Sequence, residues 1–427
     1  MTATGAIAIP AGRFFFPLDD KLDLRGEDFS PSLLEKLEWL GGQEDSFEKG
    51  SQTAGKLLGL EITAKGLRNL TEKLGEERAE RRDAEVLQFE KGDLSPRRPE
   101  PPQVAVVFLD GGRARVRASD APPGVHEPDW NETKVANVST YSNLNFQEDP
   151  QPEPPEKFLD PPQVVRLIEE LKGASGNAKA KKQKTAGQNK EESRDKKERM
   201  PEPKKLLRTV VATKKDSDEF GRMVVTEAAQ RGFFQAVKRA VVADGGIWIW
   251  AIAALHFVGF VFILDFVHLL SHLYAGAQAA HQGDLKKAWE LYAKLLRLSW
   301  GGDVLEVLKI LRKHAERLGE PPKGVREDDP RKVLWGTLGY VEKNKDKMEY
   351  PRYRREGLPI SSAPVESLIR QVNIRVKGTQ KFWVREGLEA VLQVNAACLS
   401  EDGRLEEFWR CRRRGRAVGQ NRLKPAA

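Results

Sequence analysis

The sequence predicts an α/β fold in which a mixed β-sheet is flanked by helices. Two uninterrupted apolar runs, at residues 104–109 and 240–243, have the composition of strands that are buried on both faces of a sheet. A third observation is the all-helical block at residues 284–345, where apolar side chains recur at helical spacing. Strands that alternate with helices in this way are typical of a sheet covered by helices.

The composition permits more than one domain and favours an anionic partner. With 427 residues, the chain is long enough for two or three domains. Its 71 Lys and Arg exceed its 63 Asp and Glu, and the resulting net charge of +8 is compatible with nucleic acid without requiring it. Cys398 and Cys411 lack the spacing of a metal site or disulfide framework, and the N-terminal residues lack the features of a signal peptide. We therefore expect a cytoplasmic protein.

The longest apolar stretch, residues 240–268, has two interpretations. Residues 247–264 contain no side chain that is charged at neutral pH, and they are long enough for a single membrane span. Alternatively, a pair of glycines ends a strand at 239–244, a short helix follows at 247–256, and a second strand follows at 260–266. Hydropathy alone leaves both interpretations open, because strand, helix and strand in series imitate a span.

Changes in composition divide the chain into six predicted segments. They are a helical N-terminal domain at 1–92, a Pro-rich linker at 93–103, a sheet-bearing core at 104–283 with a disordered basic insert at 173–205, a helical insertion at 284–345, the C-terminal part of the core domain at 346–409 and a basic tail at 410–427. In the N-terminal domain, helices at 46–58 and 63–74 are joined by a short turn with Gly59, the outline of a helix-turn-helix DNA-binding unit. An ordinary helical hairpin fits this outline equally well.

The start of the core has the pattern of a three-stranded meander. A buried strand at 104–109 is followed by Asp-Gly-Gly at 110–112, a composition typical of a tight turn. An alternating return strand is predicted at 113–117 and a third strand at 134–141. This pattern places an aspartate at the end of the first strand.

Three carboxylates stand out by their positions. Asp110 ends the first strong strand, Asp244 ends a later one, and Glu366 lies in the first turns of a helix that follows a basic loop at 349–360. If the two strands are neighbours, Asp110 and Asp244 lie side by side. Clustered carboxylates bind Mg²⁺, and two such ions support phosphodiester chemistry. Taken singly, however, each aspartate also fits a turn, and the glutamate fits a helix start favoured by the helix dipole.

Several long segments of the chain resemble one family, the Kra-type group of bacterial insertion-sequence transposases, which belongs to the DDE superfamily. In chain order the matching segments are FLDGGRARVRA at 108–118, WNETKV at 130–135, DEFGRMVVTEAAQRGF at 218–233, VVADGGIWIW at 241–250, ILDFVHLLSHL at 263–273 and YRREGLPISSAPVESLIRQVNIRVKGTQKFW at 353–383. The resemblance covers most of the chain, and its segments occur in the family's order.

The resemblance implies an RNase H-like catalytic domain in which Asp110, Asp244 and Glu366 form the acidic triad, drawn from the first strand, the fourth strand and a late helix. The triad would bind two Mg²⁺ ions, for which Mn²⁺ can substitute. Asp265 and His268 fall on the Asp-x-x-His motif that Mutator-like transposases place after the second acidic residue, and they would support the site. A helical insertion before the glutamate is also implied.

The implied function is that of a DNA transposase, which cuts a strand at each transposon end and joins the freed 3′-hydroxyl to target DNA. The implied partners are double-stranded DNA, as transposon ends and as target, and further copies of the chain in a homodimer or larger assembly. The protein would be cytoplasmic and associated with the bacterial nucleoid, with no membrane partner. Phosphate contacts are assigned to seven side chains: Arg352, Arg354, Arg355, Arg375, Lys377, Trp383 and Arg385.

Two departures from the family pattern leave other functions open. Residues 361–363 are Ser-Ser-Ala where the family usually has Gly-Ser-Gly, and the helix after Asp244 is more apolar than usual. Both are compatible with an inactive copy that binds DNA without cutting it. A single-span membrane protein is the more remote alternative.

Overall fold

The computed structural model describes residues 7–9, 13–15, 29–97, 100–117, 129–174, 203–378 and 381–421. The basic insert predicted at 173–205 lies outside the described residues except at its two ends, and so do residues 422–427 of the predicted tail. The chain forms two compact units. Unit 1 comprises residues 1–82, 116–128 and 374–427, and unit 2 comprises residues 83–115 and 129–373.

The described elements alternate between strands and helices along much of the chain. The strands are β1 (Ile7–Ile9), β2 (Arg13–Phe15), β3 (Val104–Arg117), β4 (Asp129–Tyr141), β5 (Lys205–Thr213), β6 (Lys238–Ala243), β7 (Val261–Leu264) and β8 (Trp383–Val384). The helices that start before β7 are α1 (Pro31–Gln43), α2 (Phe47–Leu58), α3 (Ala64–Lys91), α4 (Pro161–Ala174), α5 (Ser217–Gln230) and α6 (Ile247–His256). The later helices are α7 (Phe266–Ala280), α8 (Leu285–Trp300), α9 (Val304–Leu318), α10 (Pro330–Asn344), α11 (Tyr350–Arg355), α12 (Ala363–Val376), α13 (Arg385–Leu399) and α14 (Arg404–Asn421).

Unit 2 is built around a mixed sheet whose strands run in the order β5-β4-β3-β6-β7. Strands β4 and β5 are antiparallel, whereas β6 is parallel to both of its neighbours, β3 and β7. In unit 1, β8 pairs in parallel with the last two residues of β3. The predicted α/β class, a mixed sheet flanked by helices, is therefore confirmed.

Strand β3 continues through the residues for which the sequence predicts a turn. The predicted turn at 110–112 is wrong, because all three residues lie inside β3, and neither Gly111 nor Gly112 has a positive φ. A Cβ on Gly112 would lie 2.8 Å from the Oγ1 atom of Thr133 in β4, closer than packed atoms approach. The glycine thus permits close contact between neighbouring strands instead of a chain reversal, and the first two predicted strands are one.

The apolar stretch at 240–268 is divided among β6, α6 and β7, as its second interpretation predicts. Strand β6 ends just before Asp244, and its residues Val241 and Ala243 share the main core of unit 2 with Phe220 of α5. No helix in the described part of the chain is long and apolar enough to cross a membrane.

The helical block predicted at 284–345 is confirmed as α8, α9 and α10. Asp284 and Asp329 each accept a hydrogen bond from a backbone N–H in the first turn of the helix that follows, at 3.0 and 2.9 Å. Such capping satisfies donors that the helix cannot pair internally. The starts of these helices were therefore readable from local sequence.

Other predicted boundaries are wrong in ways that tertiary contacts explain. Helix α11 occupies part of the predicted loop at 349–360, where buried Tyr350 and Tyr353 donate hydrogen bonds to carbonyl groups of β7 at 3.0 and 3.3 Å. The helix predicted at 63–74 continues to Lys91, as α3. The predicted basic tail is helical through residue 421, as part of α14.

A buried ion pair ties together three helices of unit 1. Glu38 of α1 is fully buried and accepts hydrogen bonds from the guanidinium of Arg78 in α3 at 2.5 and 3.0 Å. The indole N–H of Trp409 in α14 donates to the same carboxylate at 2.7 Å. A carboxylate removed from water is tolerated only when such partners surround it. The ion pair therefore fixes how α1, α3 and α14 pack.

Helices α3 and α13 of unit 1 approach closely at Gly75, where a Cβ would lie 2.2 Å from the carbonyl oxygen of Ala390. We expect Gly75→Ala to lower the free energy of unfolding by about 1–3 kcal/mol, because the added methyl group forces the helices apart. The matched control is Gly336→Ala in α10, where a Cβ would meet nothing within 4 Å. This change should stabilise the protein by about 0.5–1 kcal/mol through helix propensity. Urea unfolding of both variants checks the prediction, which equal effects would contradict.

Candidate active site

Parallel pairing places three aspartates in a row across the sheet: Asp110 within β3, and Asp244 and Asp265 directly after β6 and β7. The parallel register pairs Phe108 with Val242, so Asp110 and Asp244 follow at matching positions two residues later. The register of β6 and β7 likewise puts Asp265 beside Asp244. Asp110 and Asp244 therefore lie on neighbouring strands, as the sequence led us to expect, and Asp265 extends the row.

Asp244 is held at both its side chain and its main chain. Its Oδ1 atom accepts a hydrogen bond from the backbone N–H of Gly246 at 2.9 Å. Its carbonyl oxygen accepts one from the hydroxyl of Tyr340, in α10, at 2.7 Å. The residue between, Gly245, has a φ of +95°, a conformation that favours glycine. These contacts fix the turn that presents the Asp244 carboxylate.

Asp110 is a carboxylate whose surroundings oppose its ionisation. Burial and the neighbouring charge of Asp244 raise the pKa of Asp110 to about 7, and Glu366 adds to this effect. The opposing influences are weaker: the N–H of Gly111 donates to Oδ1 of Asp110 at 2.6 Å, and the charge of His268 is favourable. Asp110 and Asp244 are thus close enough to disfavour simultaneous ionisation.

A hydrogen-bonded cluster joins Asp265, His268, Ser362 and Glu366. Asp265 is fully buried; its Oδ1 accepts from the N–H of Val267 at 2.6 Å, and its Oδ2 accepts from Nδ1 of His268 at 3.0 Å. The Ser362 N–H donates to the same Oδ2 at 3.1 Å. The Ser362 hydroxyl lies between two carboxylates, within hydrogen-bond distance of Oδ2 of Asp265 and 3.1 Å from Oε1 of Glu366. Asp265 thereby anchors the start of the helix that carries Glu366.

The cluster contains one imidazole and two carboxylates, and the pKa of each is shifted by burial and by the other groups. Burial lowers the pKa of His268, but the hydrogen bond to Asp265 and the charges of Asp265, Asp244 and Glu366 outweigh burial and raise that pKa to about 9. Burial raises the pKa of Asp265, but hydrogen bonds from His268, Ser362 and the backbone outweigh it and hold that pKa below its usual value. Burial and the charge of Asp265 raise the pKa of Glu366. At neutral pH, His268 and Asp265 therefore form an ion pair.

The side chains of the site form two groups that differ in how well they suit a metal ion. Single ligand atoms of Asp265, His268 and Glu366 all lie within 4.8 Å of one another. This group suits a metal poorly, because both oxygens of Asp265 accept hydrogen bonds and His268 is protonated at neutral pH. Carboxylate oxygens are the ligands that Mg²⁺ prefers, so Asp110, Asp244 and Glu366 are the candidates to hold it. Burial and the charge of Asp244 raise the pKa of Asp110, and a divalent cation would offset the second of these causes.

Four of the seven predicted phosphate contacts are at least partly accessible. Arg352, Arg355 and Arg385 are exposed, and Lys377 is half-buried. Arg352 forms ion pairs with two glutamates of its own segment, at 2.7 and 2.8 Å. These four residues remain candidates for contacts with an anionic partner.

The other three predicted phosphate contacts are buried, which corrects their assignment. Arg354 pairs with Asp149, with Nε 2.8 Å from the carboxylate. Arg375 donates from Nε to the carbonyl oxygen of Gly41 at 2.8 Å, and its guanidinium lies 5.4 Å from the ring centre of Trp383, which is itself buried. Arg354, Arg375 and Trp383 therefore stabilise the fold and present no surface to a phosphate.

Sequence reasoning missed Ser362 and Tyr340. Residues 361–364 have the composition of a helix cap, and a serine before an acidic helix start is a recognisable local signal. Tyr340 carries no such signal, because it lies in the helical insertion, far in sequence from Asp244. Only the tertiary structure shows that it contacts the main chain of Asp244.

Comparison of the chain with protein families and with curated proteins found no relative. No protein-family model matches the chain. A search of curated proteins also found no match. The residues and their arrangement are therefore the basis for a functional proposal.

The raised pKa of Asp110 predicts that the ionised residue destabilises the metal-free fold. Because its folded pKa is about 7 against an ordinary 3.8, folding of the wild type is progressively disfavoured as the pH rises from 3.8 to 7. We expect Asp110→Asn to melt at a higher temperature than the wild type above pH 7, and at nearly the same temperature below pH 4. Thermal melts in EDTA at several pH values test this, and a difference that does not change with pH would contradict it.

The ion pair of His268 predicts a stabilisation that is likewise lost as the pH rises, but at a more alkaline pH. Its folded pKa is about 9 against an ordinary 6.5, so its stabilisation is fully present below pH 6.5 and is lost as the pH rises through 9. We expect wild type to melt roughly 2–4 °C above His268→Gln at pH 6, with the gap closing by pH 10. Thermal melts in EDTA measure this gap. A gap that widens at alkaline pH would count against the ion pair.

Proposed function

We propose that this protein is a DNA transposase with an RNase H-like catalytic domain and a DDE site formed by Asp110, Asp244 and Glu366. The strand order of unit 2 supports the fold. Counted from β3, the first strand lies beside the second and the fourth, and the first, fourth and fifth strands are parallel. Asp110 lies in the first of these strands, Asp244 follows the fourth, and Glu366 lies in the later helix α12, as the family resemblance implies.

The observation that carries the proposal is the matching position of Asp110 and Asp244 on adjacent parallel strands. Their mutual repulsion, with Glu366 contributing to it, is appropriate to a site that binds cations and is costly otherwise. Perturbed carboxylates of this kind concentrate at functional sites. A purely structural role would be served as well by asparagine at either position.

Mg²⁺ bound there would polarise the phosphodiester and activate the attacking oxygen, whether from water during cleavage or from a DNA 3′ end during strand transfer. Asp110 and Asp244 would hold the metal ions from the sheet, and Glu366 from α12. The Ser362 hydroxyl, 3.1 Å from Oε1 of Glu366, restricts that side chain to one side of the site. Such preorganisation lowers the cost of assembling the reactive geometry.

Asp265 and His268 act behind the proposed triad. Because Asp265 accepts from the N–H of Ser362, it fixes the turn that precedes α12 and thus the direction of Glu366. His268 neutralises Asp265 and lies 3.8 Å from Oε1 of Glu366, so it limits the negative charge in the site. We assign both residues a positioning role, not one of metal binding.

We further propose that the partners are double-stranded DNA and other copies of the chain, in a homodimer or larger assembly. Helices α2 and α3 support an end-binding role, because α2 ends at Gly59 with a φ of +61° and α3 follows a short turn. The exposed Arg352, Arg355 and Arg385 would add phosphate contacts. Binding that depends on such contacts weakens steeply with salt.

The decisive experiment is cleavage of DNA that carries the element's terminal repeats, in the presence of Mg²⁺. We expect Asp244→Asn to lower the cleavage rate at least about 100-fold, because asparagine keeps the shape of the side chain but loses the charge that binds the metal. Binding of the same DNA in EDTA should be unchanged. The matched control is Asp284→Asn, since asparagine caps a helix as well as aspartate does.

Each outcome of this assay has a distinct meaning. Undiminished cleavage by Asp244→Asn would exclude the assigned triad. Specific binding without cleavage by the wild type would instead favour the alternative of an inactive copy that acts only as a DNA-binding protein. Failure to bind the repeats at low salt would exclude both.

A further inference from the structure

Tyr340 lies in α10, outside the elements that carry the proposed triad, yet it contacts one triad residue, Asp244, directly. Its hydroxyl donates a hydrogen bond to the carbonyl oxygen of Asp244 at 2.7 Å. Its ring stacks on the imidazole of His272 in α7, with ring centres 3.8 Å apart and planes inclined by 19°. A side chain held at both its ring and its hydroxyl has little freedom to leave Asp244.

The residue after Asp244 depends on the same ring. Gly245 has a φ of +95°, and a Cβ at this position would lie 2.9 Å from Cε2 of Tyr340. The turn is therefore closed against the tyrosine ring, which leaves no room for a side chain. Because the next N–H, that of Gly246, donates to Oδ1 of Asp244, the shape of this turn also sets the direction of the carboxylate.

Helix α10, which carries Tyr340, is fastened to the helices on either side of β7. Asn344 is buried; its amide donates to the carbonyl of Tyr340 at 2.9 Å, and its oxygen accepts from the indole N–H of Trp250 in α6 at 2.9 Å. Thr337 donates to the carbonyl of His272 in α7 at 3.2 Å. The last turns of α10 are thus held in place on both sides of Tyr340.

We propose that Tyr340 is a positioning residue that acts through the main chain of Asp244 and sets the affinity of the site for divalent cations. This inference rests on the proposed function in so far as Asp110, Asp244 and Glu366 bind the metal. An Asp244 carboxylate that is already directed binds a cation without first being ordered. The helical insertion is then a part of the metal site and not only a separate surface.

The test compares wild type with Tyr340→Phe, which keeps the ring against Gly245 and His272 and removes only the hydroxyl. The first readout needs no DNA: the rise in melting temperature as Mg²⁺ is titrated into the protein. The second readout is the Mg²⁺ dependence of single-turnover cleavage of the terminal-repeat DNA. We expect the Mg²⁺ concentration at half-effect to increase about three- to tenfold in both, the range for one lost hydrogen bond.

The matched control is Tyr292→Phe, which removes a similar hydrogen bond, from a buried tyrosine hydroxyl to the carbonyl oxygen of Phe158 at 3.0 Å. This variant should lose a similar amount of stability in EDTA but keep the Mg²⁺ midpoints of the wild type. Equal midpoints for wild type and Tyr340→Phe would overturn the inference, and so would equal shifts in Tyr340→Phe and Tyr292→Phe.

Different results would contradict the role of Tyr340 and the proposed transposase function. A weakened Mg²⁺ response of the melting temperature in Tyr340→Phe, without DNA cleavage by the wild type, would support the inference and count against the transposase. Cleavage by the wild type, with the same Mg²⁺ midpoints in wild type and Tyr340→Phe, would support the transposase and overturn the inference. A wild type whose melting temperature does not respond to Mg²⁺ at all would overturn the inference.

Discussion

Parallel pairing of β3, β6 and β7 brings Asp110, Asp244 and Asp265 to the same edge of one sheet, and unit 2 must accommodate that concentration of negative charge. Each aspartate is accommodated differently. Asp265 is enclosed by donors and paired with a protonated imidazole, which keeps it ionised without access to water. Burial and the charge of neighbouring Asp244 oppose the ionisation of Asp110 and raise its pKa to about 7. Asp110 and Asp265, identical side chains, thus acquire different chemistry from their surroundings alone.

This difference also bears on which side chains are available to a cation. Asp265, His268 and Glu366 form the tightest group, but hydrogen bonds already occupy the Asp265 oxygens. A cation would have to displace those donors and the proton of His268. The repulsion between Asp110 and Asp244 is not compensated in this way, and it is there that added positive charge has the most to stabilise.

Much of the fold was predictable because its determinants are local. Apolar runs gave the buried strands, and aspartate caps marked the starts of α8 and α10. The turn predicted at 110–112 failed because the same Asp-Gly-Gly composition suits a strand whose neighbour comes very close, and only Thr133 in β4 decides between them. For the site, the position of Asp244 followed from a strand end and that of Asp110 from the apolar run before it, whereas the contact between Tyr340 and Asp244 is one that no local pattern encodes.

The predicted phosphate contacts show a related limit. A basic residue near aromatic side chains has the same sequence pattern whether it contacts nucleic acid or its own fold. Arg375 lies 4.2 Å from the ring centre of Phe47 and 5.4 Å from that of Trp383, so its guanidinium is stabilised by rings of unit 1. Burial, which the pattern does not encode, distinguishes the two cases.

Both units contain contacts to residues from late in the chain, which can form only after those residues have been synthesised. In unit 1, the buried Glu38 accepts a hydrogen bond from Trp409, and in unit 2, the buried Asp265 accepts one from Ser362. A ribosome-bound chain that ends before α12 contains strands β3 to β7 and all three aspartates of the site, but not Glu366, which lies in that helix. Translation therefore sets the order in which these contacts can form, and a truncated chain that is released early lacks Glu366.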